Sequence, residues 1–262
     1  MNAFFVNWLV FDMMWIVTLV CIEINMIKQS CVILVIIVGM LAVPCVNATL
    51  DPAKEVFVNK LALVIKKQNH YLLKQREAIQ CIFSRVFDGQ TVSVARLEWL
   101  RQVARIYKVK PFLLNRKSKL ALLSKLNVIP PSMVIAQAAI ESNWGRSRFA
   151  TEARNLFGIW CFTKGCGVVP LRRTPGQIHE VKKYTSQANG VIAYFFNMNT
   201  HPAYRQFRRA RQKMVSHDQP LLGLKLAKYL GSYSQLGSAY SGLVIKIITK
   251  YRLTRFDQYL NT

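Results

Sequence analysis

The chain has 262 residues, enough for one sizeable domain or two small ones with real cores. With 52% hydrophobic and 18% charged residues it is not a disordered chain. Its 36 Lys and Arg against 12 Asp and Glu give a net charge of +24, which favours a polyanionic partner (nucleic acid, anionic lipid or an acidic wall polymer) without choosing among them.

Two apolar stretches open the chain. Residues 3–22 are interrupted by Asn7 and Asp12, and residues 31–44 form the cleaner run. Lys28, between them, is the first basic residue. The second stretch reads as a signal peptide over 26–48. Met26-Ile27-Lys28 supplies its positive region, residues 31–44 its apolar segment, and Val46-Asn47-Ala48 a small-residue cleavage site. On that reading residues 1–25 are an over-extended start. The rival reading has two membrane spans, of which Asp12 would cost the first about 3 kcal/mol. Either way the N-terminus engages the membrane, as signal or anchor. Residues 49 onward then lie outside the cytoplasm, periplasmic or held at the inner membrane. Cys45 follows Val43-Pro44, a poor match to a lipoprotein cleavage site.

Residues 49–126 read as a helical N-terminal region. Phe57, Leu61, Leu63, Val64, Leu72, Ile79 and Ile82 recur at helical spacing over 52–87, with Lys and Arg between them. Asp88-Gly89 ends that run. Cys81 falls on its apolar part and is expected to be a buried small hydrophobe. A second helix is predicted from about Val92 to Tyr107, with Leu97, Leu100, Val103 and Ile106 on one face. Residues 108–131, with Pro111, Pro130 and Pro131, read as looser chain.

The segment VIPPSMVIAQAAIESNWG then gives a clean helix signal. Ser132 is the expected N-cap, Met133, Ala136, Gln137 and Ile140 share a face, and Gly145 is the stop. Glu141 falls in the last turn. The carbonyl end of the helix and the neighbouring Trp144 would both raise its pKa, which suits a general acid; Arg146 and Arg148 would oppose the shift if they lie close, and the sequence does not decide which wins. A surface glutamate closing a helix is the alternative reading. After Phe149, the β-prone runs NLFGIWCF, GVVPL and EVKKY predict a small hairpin or three-stranded lobe. Cys161 and Cys166 bracket a short loop there, either as a local disulfide in an oxidising compartment or as two free thiols. From Asn189 four more helical segments follow, GVIAYFFNMN, AYRQFRRARQKM, LLGLKLAKYL and SGLVIKIITKY.

His179, His201 and His217 do not cluster with acids at ligand spacing, so no metal is expected. There is no phosphate loop or dinucleotide fingerprint, and no cofactor is expected. The run RRARQK at 208–213 suggests nucleic acid, but export argues against it and a solvated helix face explains it. A monomer is expected.

AQAAIESNWGRSRFA followed by NLFGIW resembles the bacterial glucosaminidase family of peptidoglycan hydrolases. The Cys161–Cys166 loop and NTHPAYRQFRRAR are similar to its Bax-like branch. The resemblance spans about residues 127 to 260 and is weaker over 52–126. It implies a mostly α, α+β lysozyme-like domain over 127–262, with a small β-hairpin lobe, behind the helical region 49–126. It also implies that Glu141 protonates the glycosidic oxygen of peptidoglycan glycan strands. Tyr233 and Tyr240 match the family's late tyrosine pair. Glycoside hydrolysis usually needs a second carboxylate, and the family often places one on its hairpin. The first strand of the hairpin here offers Arg172 and Arg173 and no acid, which leaves Glu180, or else substrate assistance or a single-acid mechanism. Trp144, Asn155, Phe157, Tyr184, Tyr233 and Tyr240 are the expected sugar contacts, with core packing or turn capping as the alternative for most of them.

Overall fold

The computed structural model describes residues 50–260, so the signal-peptide and membrane readings of residues 1–48 lie outside the described residues. Among the described residues no helix is long and apolar enough to cross a membrane.

Helix α1 (Pro52–Phe87) starts where the Asp51 carboxylate accepts a hydrogen bond from the Lys54 amide at 3.0 Å. Its buried stripe, Val58, Leu61, Ile65, Leu72, Ile79, Ile82 and Phe83, has the predicted helical period. Asn69 and Arg76 sit in the same stripe and are buried. Asn69 exchanges hydrogen bonds with the backbone of Ile129 (2.9 and 3.0 Å), and Arg76 donates to the carbonyls of Leu123 and Leu126. These polar residues are therefore satisfied by chain that arrives 47 to 60 residues later. Cys81 is exposed, not buried as expected, because it falls between Ile79 and Ile82 on the flank of the stripe.

Helix α2 (Val94–Ile106) follows as predicted. The stretch expected to be loose contains a further helix, α3 (Arg116–Lys125), whose N-terminus is capped by the Asn115 side chain accepting from Ser118 N at 2.9 Å. Helix α4 (Pro131–Ser142) is the buried centre of the molecule, with Met133 to Ala139 all nearly inaccessible. Ser132 is not its N-cap but lies inside its first turn. The Ser132 amide and hydroxyl both donate to the Asp257 carboxylate (2.9 and 2.7 Å), which also accepts from Gly223 N at 2.8 Å. The cap is thus supplied from 125 residues away.

The helix ends earlier than Gly145. Asn143, Trp144 and Gly145 are all left-handed, with φ of 49°, 58° and 78°. Gly145 is required there twice over, because a Cβ on it would also lie 2.9 Å from the Phe57 ring. Ser142 locks the turn by donating to Ala138 O and accepting from Gly145 N.

A short helix α5 (Arg148–Glu152) leads into a three-stranded antiparallel sheet of order β1-β3-β2: β1 (Trp160–Cys161), β2 (Gly167–Val168) and β3 (Glu180–Lys182). Trp160 pairs with Val181, and Gly167 with Lys182. Helices α6 (Gln187–Thr200), α7 (Arg205–Ser216), the one-turn α8 (Gly223–Leu226) and α9 (Ser238–Lys250) follow, and a 3-10 segment (Leu253–Leu260) carries Asp257 back to α4. The result is the expected mostly helical α+β architecture with a small sheet lobe. One hydrophobic core runs from Val58 of α1 through Ile135 of α4 to Val244 and Ile248 of α9.

Candidate active site

Glu141 lies in the last turn of α4, one helical turn after Gln137, so the two side chains share a face. Gln137 is fully buried and Glu141 half-buried. Tyr194, on α6, donates to Gln137 Oε1 at 2.6 Å. Gln137 Nε2 donates to the Tyr240 hydroxyl at 3.2 Å, and that hydroxyl donates to Glu141 Oε1 at 2.7 Å. Every donor in this chain points toward the carboxylate, so each bond polarises the next.

Burial pushes the Glu141 carboxyl above the ordinary carboxylate range, and the Tyr240 hydrogen bond pulls it partly back. Neither arginine that could have opposed the shift is among its causes; Arg146 is bonded to Asn143, and Arg148 to the Val169 carbonyl. Burial, and then the charge of Glu141, keeps the Tyr240 hydroxyl protonated.

Aromatic rings wall the carboxylate. Tyr233 stacks on Tyr240 with centroids 5.3 Å apart, and its hydroxyl donates to Phe157 O at 3.1 Å. Phe157 stacks on Tyr194 at 4.1 Å, and Tyr204 lies 5.9 Å from Tyr233. On the other side is Gly158, with φ +64°. A Cβ there would stand in van der Waals contact, 3.9 Å from Glu141 Oε2, so the backbone at Gly158 lies against the second carboxylate oxygen.

The remaining expected site residues have other partners. Trp144 packs edge-on against Phe57 (6.1 Å) and Tyr251 (4.9 Å), with Lys54 Nζ over its ring at 5.5 Å. Asn155 is buried, and its amide is saturated. It donates to the carbonyls of Ile159 and Lys182 and accepts from the amides of Phe157 and Ile159. Tyr184 is a buried ring whose amide joins Ala153 O.

Glu180, the candidate second carboxylate from sequence, is 5% exposed. Its two oxygens accept from Gly165 N (2.9 Å) and Gly167 N (2.8 Å), which hold its pKa below the ordinary value. The same loop is closed by the Cys161–Cys166 disulfide. Gln137, Tyr194 and Tyr204 were not singled out from sequence. Gln137 left a signal in its spacing of four from Glu141, and Tyr204 in its place within the NTHPAY run.

The family model for mannosyl-glycoprotein endo-beta-N-acetylglucosaminidase matches residues 118–253, more than half of the chain. The chain belongs to the glucosaminidase family. It is thereby placed among the glycoside hydrolases. Relatives in the family include Protein bax of Escherichia coli, 33% identical over 191 residues, 72% of this chain and 66% of that protein. A probable N-acetylmuramidase of Lactococcus lactis is 29% identical over 143 residues, and exo-glucosaminidase LytG of Bacillus subtilis is 28% identical over 150. The matched region spans 31% and 49% of those two proteins. The catalytic domain of the autolysin Auto from Listeria monocytogenes aligns at a TM-score of 0.44 and 18% identity, over 83% of this chain and 93% of that one.

Proposed function

We propose that this glucosaminidase-family chain is an exported peptidoglycan hydrolase that cleaves the β-1,4 bond after N-acetylglucosamine, with Glu141 as its general acid. The observation that carries the reading is the half-buried Glu141 carboxyl. One of its oxygens accepts from Tyr240, and the other lies beside the backbone of Gly158. A carboxyl raised by burial retains its proton closer to neutral pH, as a proton donor requires. Oε2 would deliver the proton to the leaving oxygen as the C1–O bond breaks. The carboxylate left behind would then be stabilised by the Tyr194–Gln137–Tyr240 chain of donors.

Glu180 is reserved in this account for holding the Gly165–Gly167 loop, since both its oxygens are engaged there. Attack on C1 then falls to a water, or to the substrate's own N-acetyl oxygen with water opening the resulting ring. The net charge of +24 would help retain the anionic wall.

The same engagement of Glu180 favours one second reading, a lytic transglycosylase, in which the sugar's own hydroxyl closes on C1 and no water is added. Incubating the full chain with purified peptidoglycan and weighing the products separates the two. Reducing N-acetylglucosamine ends support the hydrolase. Reducing muramic ends move the cut to the other bond, anhydro ends indicate transglycosylation, and binding without release indicates a wall-binding module.

A further inference from the structure

The β-lobe has two ends of opposite character. Strand β1 leaves Gly158, beside Glu141, and runs away from it. Both β1 and β2 are antiparallel to β3, so they are parallel to each other. The chain leaving β1, the chain leaving β2 and the chain entering β3 therefore lie at the end of the sheet opposite the one where β1 enters from Gly158.

That end carries Phe162 after β1, Val169 and Leu171 after β2, and Ile178 before β3. Their exposures are 64%, 46%, 86% and 67%. Four large, strongly exposed apolar side chains thus fall on the loops at one end of the sheet, which is where an apolar contact surface would form. Lys164, Arg172 and Arg173 lie in the same loops, and the single acid between residues 160 and 183 is the buried Glu180. The tip is held in shape by the Cys161–Cys166 disulfide, by Glu180 on the glycine amides, and by Arg173 donating to His179 O at 3.2 Å.

We propose that this tip is a docking surface for anionic phospholipid, with Phe162, Leu171 and Ile178 entering the acyl boundary and Lys164 and Arg172 resting on the headgroups. Apolar side chains on loops that carry Lys164, Arg172 and Arg173 and no exposed acid of their own match a negatively charged lipid surface. Sugar rings and wall peptides offer Leu171 and Ile178 no apolar medium to enter. A second copy of this chain would bring another highly basic surface against the first, which repels it. With Glu141 at the base of the lobe and the lipid contact at its tip, the docked protein would present its candidate site to wall material lying at the membrane face.

The test uses the full chain with vesicles of phosphatidylcholine alone or of phosphatidylcholine mixed with phosphatidylglycerol. Backbone hydrogen exchange is read over residues 162–179. Attachment through residues 1–48 would act on both vesicle types and leave the tip unchanged, so the local readout separates the two. The expected result is slowed exchange over 162–179 with phosphatidylglycerol, lost on raising salt and lost in Leu171→Asp/Ile178→Asp. Should that variant loosen the lobe even without vesicles, Lys164→Gln/Arg172→Gln keeps the apolar side chains and is expected to lose the preference for phosphatidylglycerol. Exchange unchanged by either vesicle, or an unaltered preference in the charge variant, overturns the proposal. Protection by purified peptidoglycan in place of vesicles also overturns it, and makes the tip a wall contact.

Discussion

The Tyr240 hydroxyl donates to Glu141 Oε1 across 2.7 Å, joining residues 99 positions apart and tying α9 to the last turn of α4. The bond favours the ionised carboxylate, whereas burial favours the protonated one, and burial prevails. Removing the hydroxyl therefore raises the Glu141 pKa further. If the protonated acid is the active form, activity falls as pH rises through that pKa. Tyr240→Phe is then expected to shift the alkaline limb of the pH–rate profile upward, with the acidic limb in place. Unfolding should become easier by about 1 kcal/mol, because Gln137 Nε2 loses its acceptor. An alkaline limb that stays where it was would separate Tyr240 from the titration of Glu141.

Trp144 divides a packing role from a sugar-binding one. Its ring lies between Phe57 and Tyr251, so it fastens α1 and the C-terminal segment to the end of α4. Trp144→Ala is expected to destabilise the fold by about 3 kcal/mol. The KM of the folded fraction should be nearly unchanged, measured well below the melting temperature. A raised KM at unchanged stability would restore the sugar contact expected from sequence.

Glu180 makes the matching case on the lobe. Its pKa is held down in the folded chain by the amides of Gly165 and Gly167, so the stability it contributes is present above the ordinary carboxylate value and is lost as pH falls through the lowered one. Glu180→Gln is expected to melt at a lower temperature than the parent at neutral pH, with the gap closing in acid. Activity should fall far less than for the loss of Glu141. A loss of kcat as large as that of a Glu141 variant, with stability intact, would make Glu180 part of the chemistry.

Asp257 tests the remote cap. Asp257→Ala strands the Ser132 amide, the Ser132 hydroxyl and the Gly223 amide at the buried N-terminus of α4. The expected cost is about 3 kcal/mol by chemical denaturation. A cost below about 0.5 kcal/mol would mean that the three donors find other partners.

Much of this was legible in the sequence where the signal is local. The period of Leu61, Leu72 and Ile79 gave α1 its length, and the spacing of Glu141, Ser142, Trp144 and NLFGI pointed to the site. What escaped depends on distant chain. Ser132 reads as a cap because nothing nearby announces Asp257. Nothing in the local sequence announces that Arg76 and Asn69 are buried, because the carbonyls and amide they meet come from 123–129. Helix α3 was hidden by its charge, RKSKLALLSK, and by a cap, Asn115, that lies in a stretch dominated by Pro111 and the Pro130–Pro131 pair. Trp144 and Tyr184 were named for their chemistry, and only packing shows which way an aromatic ring faces.

The most direct measurement compares the full chain with Glu141→Gln on purified peptidoglycan, following new reducing ends over time. The amide keeps an oxygen to accept the Tyr240 hydroxyl, and it removes only the proton that Oε2 would deliver. The account predicts release by the parent and a fall of about a thousandfold in the variant, with no drop in melting temperature. Release by the variant at the parental rate would contradict it and move the chemistry away from Glu141.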